Sequence, residues 1–185
     1  MEERQLIEGC VRGESWAQKT MYELHAPEMM SVCRRYAENR ETARDLLHDG
    51  FIRLFAKMHT YSGAGSFGGW MRRIFVTTAL EHLRQNDVLR YSVDMEVVDD
   101  LPDDDDISQF EYLTADDLLA CIAFLSEIYR TVFNMHAIEG YTHAEIAKEL
   151  EISENTSKAR YARARRMLQK MVMNKVERMQ TVIGF

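Results

Sequence analysis

Apolar residues recur at helical spacing over most of the chain. In the stretch TARDLLHDGFIRLFAKM, residues 42–58, positions Ala43, Leu47, Gly50, Leu54 and Met58 fall on one helical face, and Leu46, Phe51 and Phe55 widen it. The arc is broader than a surface helix needs, which predicts a helix packed inside a small bundle. TYSGAGSFGG, residues 60–69, then interrupts the period with four glycines and two serines and predicts a loop. WMRRIFVTTALEHLRQ follows as a second predicted helix, with Trp70, Ile74, Thr77 or Thr78, Leu80 and Leu83 alternating with Arg72, Arg73 and Arg84.

Helical signals return near residue 114. Thr114 with Asp117, and Thr142 with Glu145, have the spacing of capping boxes. Ser126 and Ser153 stand where they can cap the helices that follow them, and Gly140 suits the left-handed position that ends one. Two short helices, Thr142–Leu150 and Ser153 onward, are separated by only Glu151 and Ile152, the spacing of a helix-turn-helix. The pattern predicts an all-α fold of two small helical domains, residues 1–90 and 114–185, the second a helix-turn-helix.

Composition adds charge segregation. The formal net charge of −7 describes neither end of the chain. Residues 87–117 hold twelve acidic side chains and one basic one, Arg90, whereas residues 156–178 hold eight basic and one acidic, Glu177. The segment 91–113, with Asp99, Asp100 and Asp103 to Asp106, reads as a flexible acidic linker. In the basic helix, Ser157, Tyr161, Ala164 and Leu168 cluster on one face. Thr156, Ala159, Ala162, Arg163 and Arg166 lie opposite, with Lys158, Arg160 and Arg165 on the flanks. Small residues ringed by cations let a helix enter the DNA major groove, so this face is read as a DNA contact rather than a merely solvated basic surface.

Chemistry of other kinds finds little support. Cys10, Cys33 and Cys121 are odd in number, far apart and without a CxxC, which fits free thiols in a reducing compartment. The six histidines are scattered, and the HExxH, P-loop and GxSxG patterns are missing, so neither an enzyme nor a metal or other cofactor site is expected. No apolar run approaches a membrane span and the first residues lack a signal core, so a cytoplasmic protein without membrane insertion is expected.

EGYTHAEIAKELEISENTSKARYARARRML resembles the C-terminal promoter-binding domain of extracytoplasmic-function sigma factors in the sigma-70 superfamily, and ARDLLHDGFIRLFAKMHTYSGAGSFGGWMRRIFVTTALEHLR resembles their N-terminal domain. The two motifs stand in the family's order, and the resemblance covers roughly residues 5–172. It implies a region 2-like domain at 1–90, a tether at 91–113 and a region 4-like domain at 114–185. In that family the helix matching DLLHDGF docks on core RNA polymerase, which would place Asp45, His48, Asp49, Phe51 and Phe55 at that contact; both phenylalanines also fit a core role. The glycine-rich loop implies Tyr61, Ser62, Phe67, Trp70, Arg72 and Arg73 at the −10 element, although a tryptophan such as Trp70 is more often a core residue in a helix of this kind. The last helix implies Thr156, Lys158, Ala159, Arg160, Arg163 and Arg166 at the −35 element. An anti-sigma partner is implied too. Departures from the family are His48 for glutamine, Ser126 for proline, Glu151 for glycine and Ser157 for valine. A stand-alone helix-turn-helix regulator is the alternative, and it would need neither the loop nor the DLLHDGF helix.

Overall fold

A computed structural model describes residues 3–85 and 114–183 of the chain. The expected linker with its Asp run lies outside the described residues. Two compact units are present, and all regular structure among the described residues is helical.

The first unit contains α1 (Glu3–Val11), α2 (Ser15–Tyr36), α3 (Arg40–Lys57) with a 3-10 turn at Met58–Thr60, and α4 (Phe67–Gln85). Asn39 starts α3 by accepting the Thr42 amide at 2.9 Å. The wide apolar arc read from the sequence is the buried face: Ala43, Leu46, Leu47, Phe51, Leu54 and Met58 are all buried. Each large member contributes about 1.5–3 kcal/mol by leaving water. Gly50 lets α3 approach α4, because a Cβ there would lie 2.3 Å from the Phe75 ring.

Helix α4 begins three residues before the expected Trp70. Ser66 Oγ accepts the Gly69 amide at 3.2 Å, and the Trp70 amide bonds the Ser66 carbonyl at 3.1 Å. That serine caps the first turn and draws Gly68 and Gly69 into the helix. The buried stripe is Phe67, Met71, Phe75, Val76, Thr78, Ala79, Leu80 and Leu83. Of the expected Thr77 or Thr78, Thr78 is the buried one; Trp70 and Ile74, also expected on that stripe, form its half-buried rim with Thr77.

The second unit contains α5 (Ala115–Phe124), α6 (Glu127–Phe133) continuing into a π-helical turn (Asn134–Ile138), α7 (His143–Leu150) and α8 (Glu154–Ile183). Both capping boxes form, with the Asp117 amide 3.2 Å from Thr114 Oγ1 and the Glu145 amide 3.2 Å from Thr142 Oγ1. Asp117 also meets Lys175 on α8 at 2.5 Å. The Lys175 bond first, then those from Thr114, pull its carboxyl down to about 2. Ser126 occupies its expected cap position, but its side chain makes no capping bond. The turn is instead secured by the Arg130 amide on the Ser126 carbonyl at 2.9 Å and by Arg130 Nη1 on the Ala123 carbonyl at 3.2 Å. Ser153 does cap α8, accepting the Thr156 amide at 2.9 Å.

The α7–α8 turn rests on Glu151 in the left-handed region, φ 54° and ψ 40°. The Ile152 amide closes it on the Ala147 carbonyl at 3.0 Å. A non-glycine residue strained in this way costs about 1 kcal/mol. Glu151→Gly is therefore expected to stabilise the second unit by up to about 1 kcal/mol, less the chain entropy that glycine adds to the unfolded state. Thermal unfolding of the full chain, followed by helicity, should show the gain as a rise of a few degrees; a lowered midpoint would contradict it.

Among the described residues no helix is long and apolar enough to cross a membrane. No three His, Cys, Asp or Glu side chains among them gather as a metal site. Cys10, Cys33 and Cys121 are free and buried, and burial pushes the Cys33 thiol up to about 12.

Candidate polymerase-contact and nucleic-acid surfaces

Opposite its buried arc, α3 presents Asp45, His48 and Asp49 to solvent at i, i+3 and i+4. Of the two roles open to Phe51, polymerase contact or core, the structure shows core: it is 3% exposed, between Tyr22 at 4.6 Å and Phe75 at 5.1 Å. Phe55 is half-buried beside it. The apolar member of the exposed ridge is Ile52, 55% exposed. Its position three residues after Asp49 and four after His48 was the signal that reading the apolar arc alone missed. An acidic ridge with one apolar side chain suits a basic partner surface that has an apolar pocket.

The loop before α4 and the first turn of that helix build an aromatic cluster. Tyr61 meets Phe67 edge-on at 5.2 Å and Trp70 at 5.1 Å, while its hydroxyl donates to the Gly65 carbonyl at 2.9 Å. Gly63 and Gly65, at φ 78° and 79°, hold the loop in backbone shapes that other residues resist. Phe67, expected to touch nucleic acid, is 1% exposed and forms the floor of the cluster. Its place on the apolar stripe of α4 explains the correction. Ser62 is exposed, and Tyr61 and Trp70 are half-buried. Arg72 pairs with Glu28 on α2 at 3.1 Å, and Arg73 is exposed.

Beside this cluster a groove of about 270 Å³ is lined by Arg53, Lys57, Thr60, Trp70, Arg73 and Thr77. Arg53 is already paired with Glu81. Lys57 and Arg73 place cations from two helices along the same groove as Trp70, which suits a phosphate chain with an unstacked base. Lys57 is not singled out in the sequence, and Thr77 is read there only as a candidate for the apolar stripe. Their spacing, Arg53 with Lys57 and Arg73 with Thr77, each at i and i+4, carried the signal.

On α8, Ser157 and Ala164 are buried while Ala159, Ala162, Arg165 and Arg166 are exposed. Thr156 is half-buried, its hydroxyl 2.8 Å from that of Ser153. Lys158 is exposed and pairs with Glu154 at 2.7 Å, which holds the Glu154 carboxyl below its usual range. Arg160, expected on the DNA-facing flank, is only 8% exposed, and its Nε and Nη1 make no hydrogen bond. It stands three residues after Ser157 and four before Ala164, on the packed ridge. Arg163 is half-buried, its guanidinium 5.6 Å from the centre of the Tyr129 ring on α6. A cation held over an aromatic face is steered rather than free to wander, so Tyr129 joins this surface as a residue that sequence reasoning missed.

Comparisons with known proteins match both units in order. A model of sigma-70 region 2 matches residues 21–88, and one of sigma-70 region 4 matches residues 115–168. The ECF RNA polymerase sigma factor SigE of Mycolicibacterium smegmatis is 29% identical over 147 residues, which is 78% of this chain and 57% of that protein. The chain thus spans little more than half the length of that relative. The ECF RNA polymerase sigma-E factor of Haemophilus influenzae is 24% identical over 181 residues, covering 90% of this chain and 93% of its own. Among solved structures, the sigma factor RpoE in complex with the anti-sigma factor NepR from Bartonella quintana has the same fold. Its TM-score is 0.53 at 21% identity, over 84% of this chain and 96% of that one. CnrH in complex with the cytosolic domain of CnrY gives a TM-score of 0.50 at 18% identity, over 93% and 97% of the two chains.

Proposed function

The chain belongs to the extracytoplasmic-function sigma factors of the sigma-70 family, and from that premise we propose that it is the promoter-specificity subunit of an RNA polymerase, without chemistry of its own. The α3 ridge of Asp45, His48, Asp49 and Ile52 binds the core enzyme. Tyr61, Ser62, Trp70 and Arg73, with Lys57 in the adjoining groove, hold the unpaired strand of the −10 element. Thr156, Lys158, Ala159, Arg163 and Arg166 on α8 read the −35 element. Arg72 joins the −10 contact by exchanging Glu28 for a phosphate. An anti-sigma protein, of the kind with which the related RpoE was solved, would act by covering these surfaces in the cell interior.

One observation carries this reading: a single chain bears an exposed acidic ridge on α3 of one unit and a basic helix-turn-helix on the other. A stand-alone regulator needs only the second. Run-off transcription with purified core polymerase on a pool of genomic promoters tests it directly. Discrete transcripts that require both the chain and an intact −35 element are expected, while the free chain, with its net charge of −7, should bind duplex DNA weakly at physiological salt. Tight, sequence-specific binding by the free chain and no transcripts with the core enzyme would favour the regulator.

A further inference from the structure

We infer that His143 is a positioning residue for α8, and that it holds this helix in its DNA-reading pose only as a neutral imidazole. The inference rests on the assignment of α8 to the −35 element and adds a proton-sensitive control to that site.

The geometry begins at the joint of the helix-turn-helix. His143 opens α7, and its Nδ1 lies 3.0 Å from Ser157 Oγ in the first turns of α8. Ser157 is fully buried, so this bond ties the two helices together from inside. His136, from the π-helical turn after α6, stacks on the His143 ring with centroids 4.2 Å apart and planes 19° from parallel. His136 Nδ1 lies 2.7 Å from the Tyr141 carbonyl. A carbonyl only accepts, so that nitrogen carries its proton. Tyr161 of α8 closes the joint, edge-on to His136 at 4.6 Å and to His143 at 5.7 Å. Phe133 of α6 stacks on Tyr161 at 5.9 Å. Two nearly parallel rings aim their lone pairs along separate planes, so the pair does not converge on a metal ion. Its remaining chemistry is that of protons.

The neighbours oppose a charge on His143. Lys158 approaches from α8, and His136 faces it from the π-helical turn. Glu154 of α8 would favour the charge, yet its carboxylate is taken by Lys158 at 2.7 Å. Glu145, on α7 itself, is bound to the Thr142 amide at 2.9 Å. Burial first, then His136 and Lys158, push the His143 imidazole below its ordinary value. The packed joint therefore takes up a proton less readily than one in which α7 and α8 have parted. The joint is complete above the usual imidazole range and is weakened as pH falls through about 6.5 toward the lowered value. Because α8 carries Lys158, Arg163 and Arg166 from this anchor, loosening it blurs the base-reading register while leaving the polymerase ridge on the other unit intact.

The test uses the full chain in complex with core polymerase. Affinity is measured for two promoters, one with an intact and one with a scrambled −35 element, at about pH 7.5 and 5.5. The ratio of the two affinities cancels the polymerase's own response to pH. The wild-type ratio is expected to fall several-fold on acidification, since the joint loses stability once the parted state takes up the proton more readily. His143→Gln, which bonds Ser157 but does not titrate, should keep the ratio at pH 7.5 and flatten its pH dependence. Ser157→Ala should lower the ratio at pH 7.5. Should His143→Gln fail to fold, the imidazole titration of His143 by NMR in the unaltered chain is the deciding measurement, with a midpoint below about 6.5 expected. A high, pH-independent wild-type ratio, a His143→Gln ratio that falls as the wild type does, or an NMR midpoint at or above the ordinary value overturns the inference alone. A ratio of one at both pH values overturns the promoter reading and the positioning role together.

Discussion

Replacing Gly50 with valine is expected to destabilise the first unit by about 3 kcal/mol and, with it, to remove core polymerase binding. A Cβ at this position would meet three Phe75 ring carbons at 2.3, 2.4 and 2.9 Å. The ring has no room to yield. It is 1% exposed and stands edge-on to Phe51 at 5.1 Å, which in turn packs on Tyr22 at 4.6 Å. Helices α3 and α4 must therefore separate. Alanine should cost less than valine, since its gain in helix propensity of about 1 kcal/mol offsets part of the same clash. Both tryptophans of the chain, Trp16 and Trp70, lie in this unit, so their fluorescence during denaturant unfolding reports it separately from the second. A lowered midpoint with unchanged slope is expected. Phe75→Leu combined with Gly50→Val should recover part of the loss, because the smaller side chain vacates the contested space. Equal stability of the valine variant, or no coupling with Phe75, would show that the helices have slack that the geometry denies.

Signals written in local spacing were legible without a structure. The capping pairs Thr114 with Asp117 and Thr142 with Glu145, the α8 cap at Ser153 and the left-handed Gly140 all stand where the sequence puts them, because each depends on atoms within a few residues. The all-α architecture follows from the same periodicity. What the sequence blurred is which edge of a broad apolar arc turns inward. Phe51, Phe67 and Arg160 were assigned to contact surfaces and are buried, since the neighbouring ridge, and not the residue's own type, decides that. Partners distant in the chain left no local trace at all: Arg72 with Glu28, Arg163 with Tyr129, and the His136–His143 stack joined to Ser157. Those tertiary pairs fix which side chains are held ready on each surface, so the site was legible as a set of helices and less so as a set of residues.

The Arg163–Tyr129 pair sets the largest effect expected at the −35 element. Ala159 and Ala162 are exposed on the outer face of α8, so the helix can sink into the major groove while the surrounding cations reach past them. Those cations are not equivalent. Lys158 is occupied by Glu154 at 2.7 Å and must trade one anion for another, which reduces its net gain on a phosphate. Arg163 rests 5.6 Å over the Tyr129 ring, so part of the ordering it needs is already present before DNA arrives. Arg163→Ala is expected to cost about 1–3 kcal/mol of −35-dependent binding by the polymerase complex, or about 5- to 150-fold, with base preference relaxed at one position. Lys158→Ala should weaken all sequences alike by less and flatten the salt dependence. Tyr129→Leu should lose a fraction of what Arg163→Ala loses, and adding it to Arg163→Ala should cost little more, since the ring acts through the guanidinium. Affinities for a set of single-base promoter variants across a salt series separate these outcomes. If Arg163→Ala weakens every variant equally, Arg163 holds phosphate rather than a base; if the two losses simply add, Tyr129 does not position it.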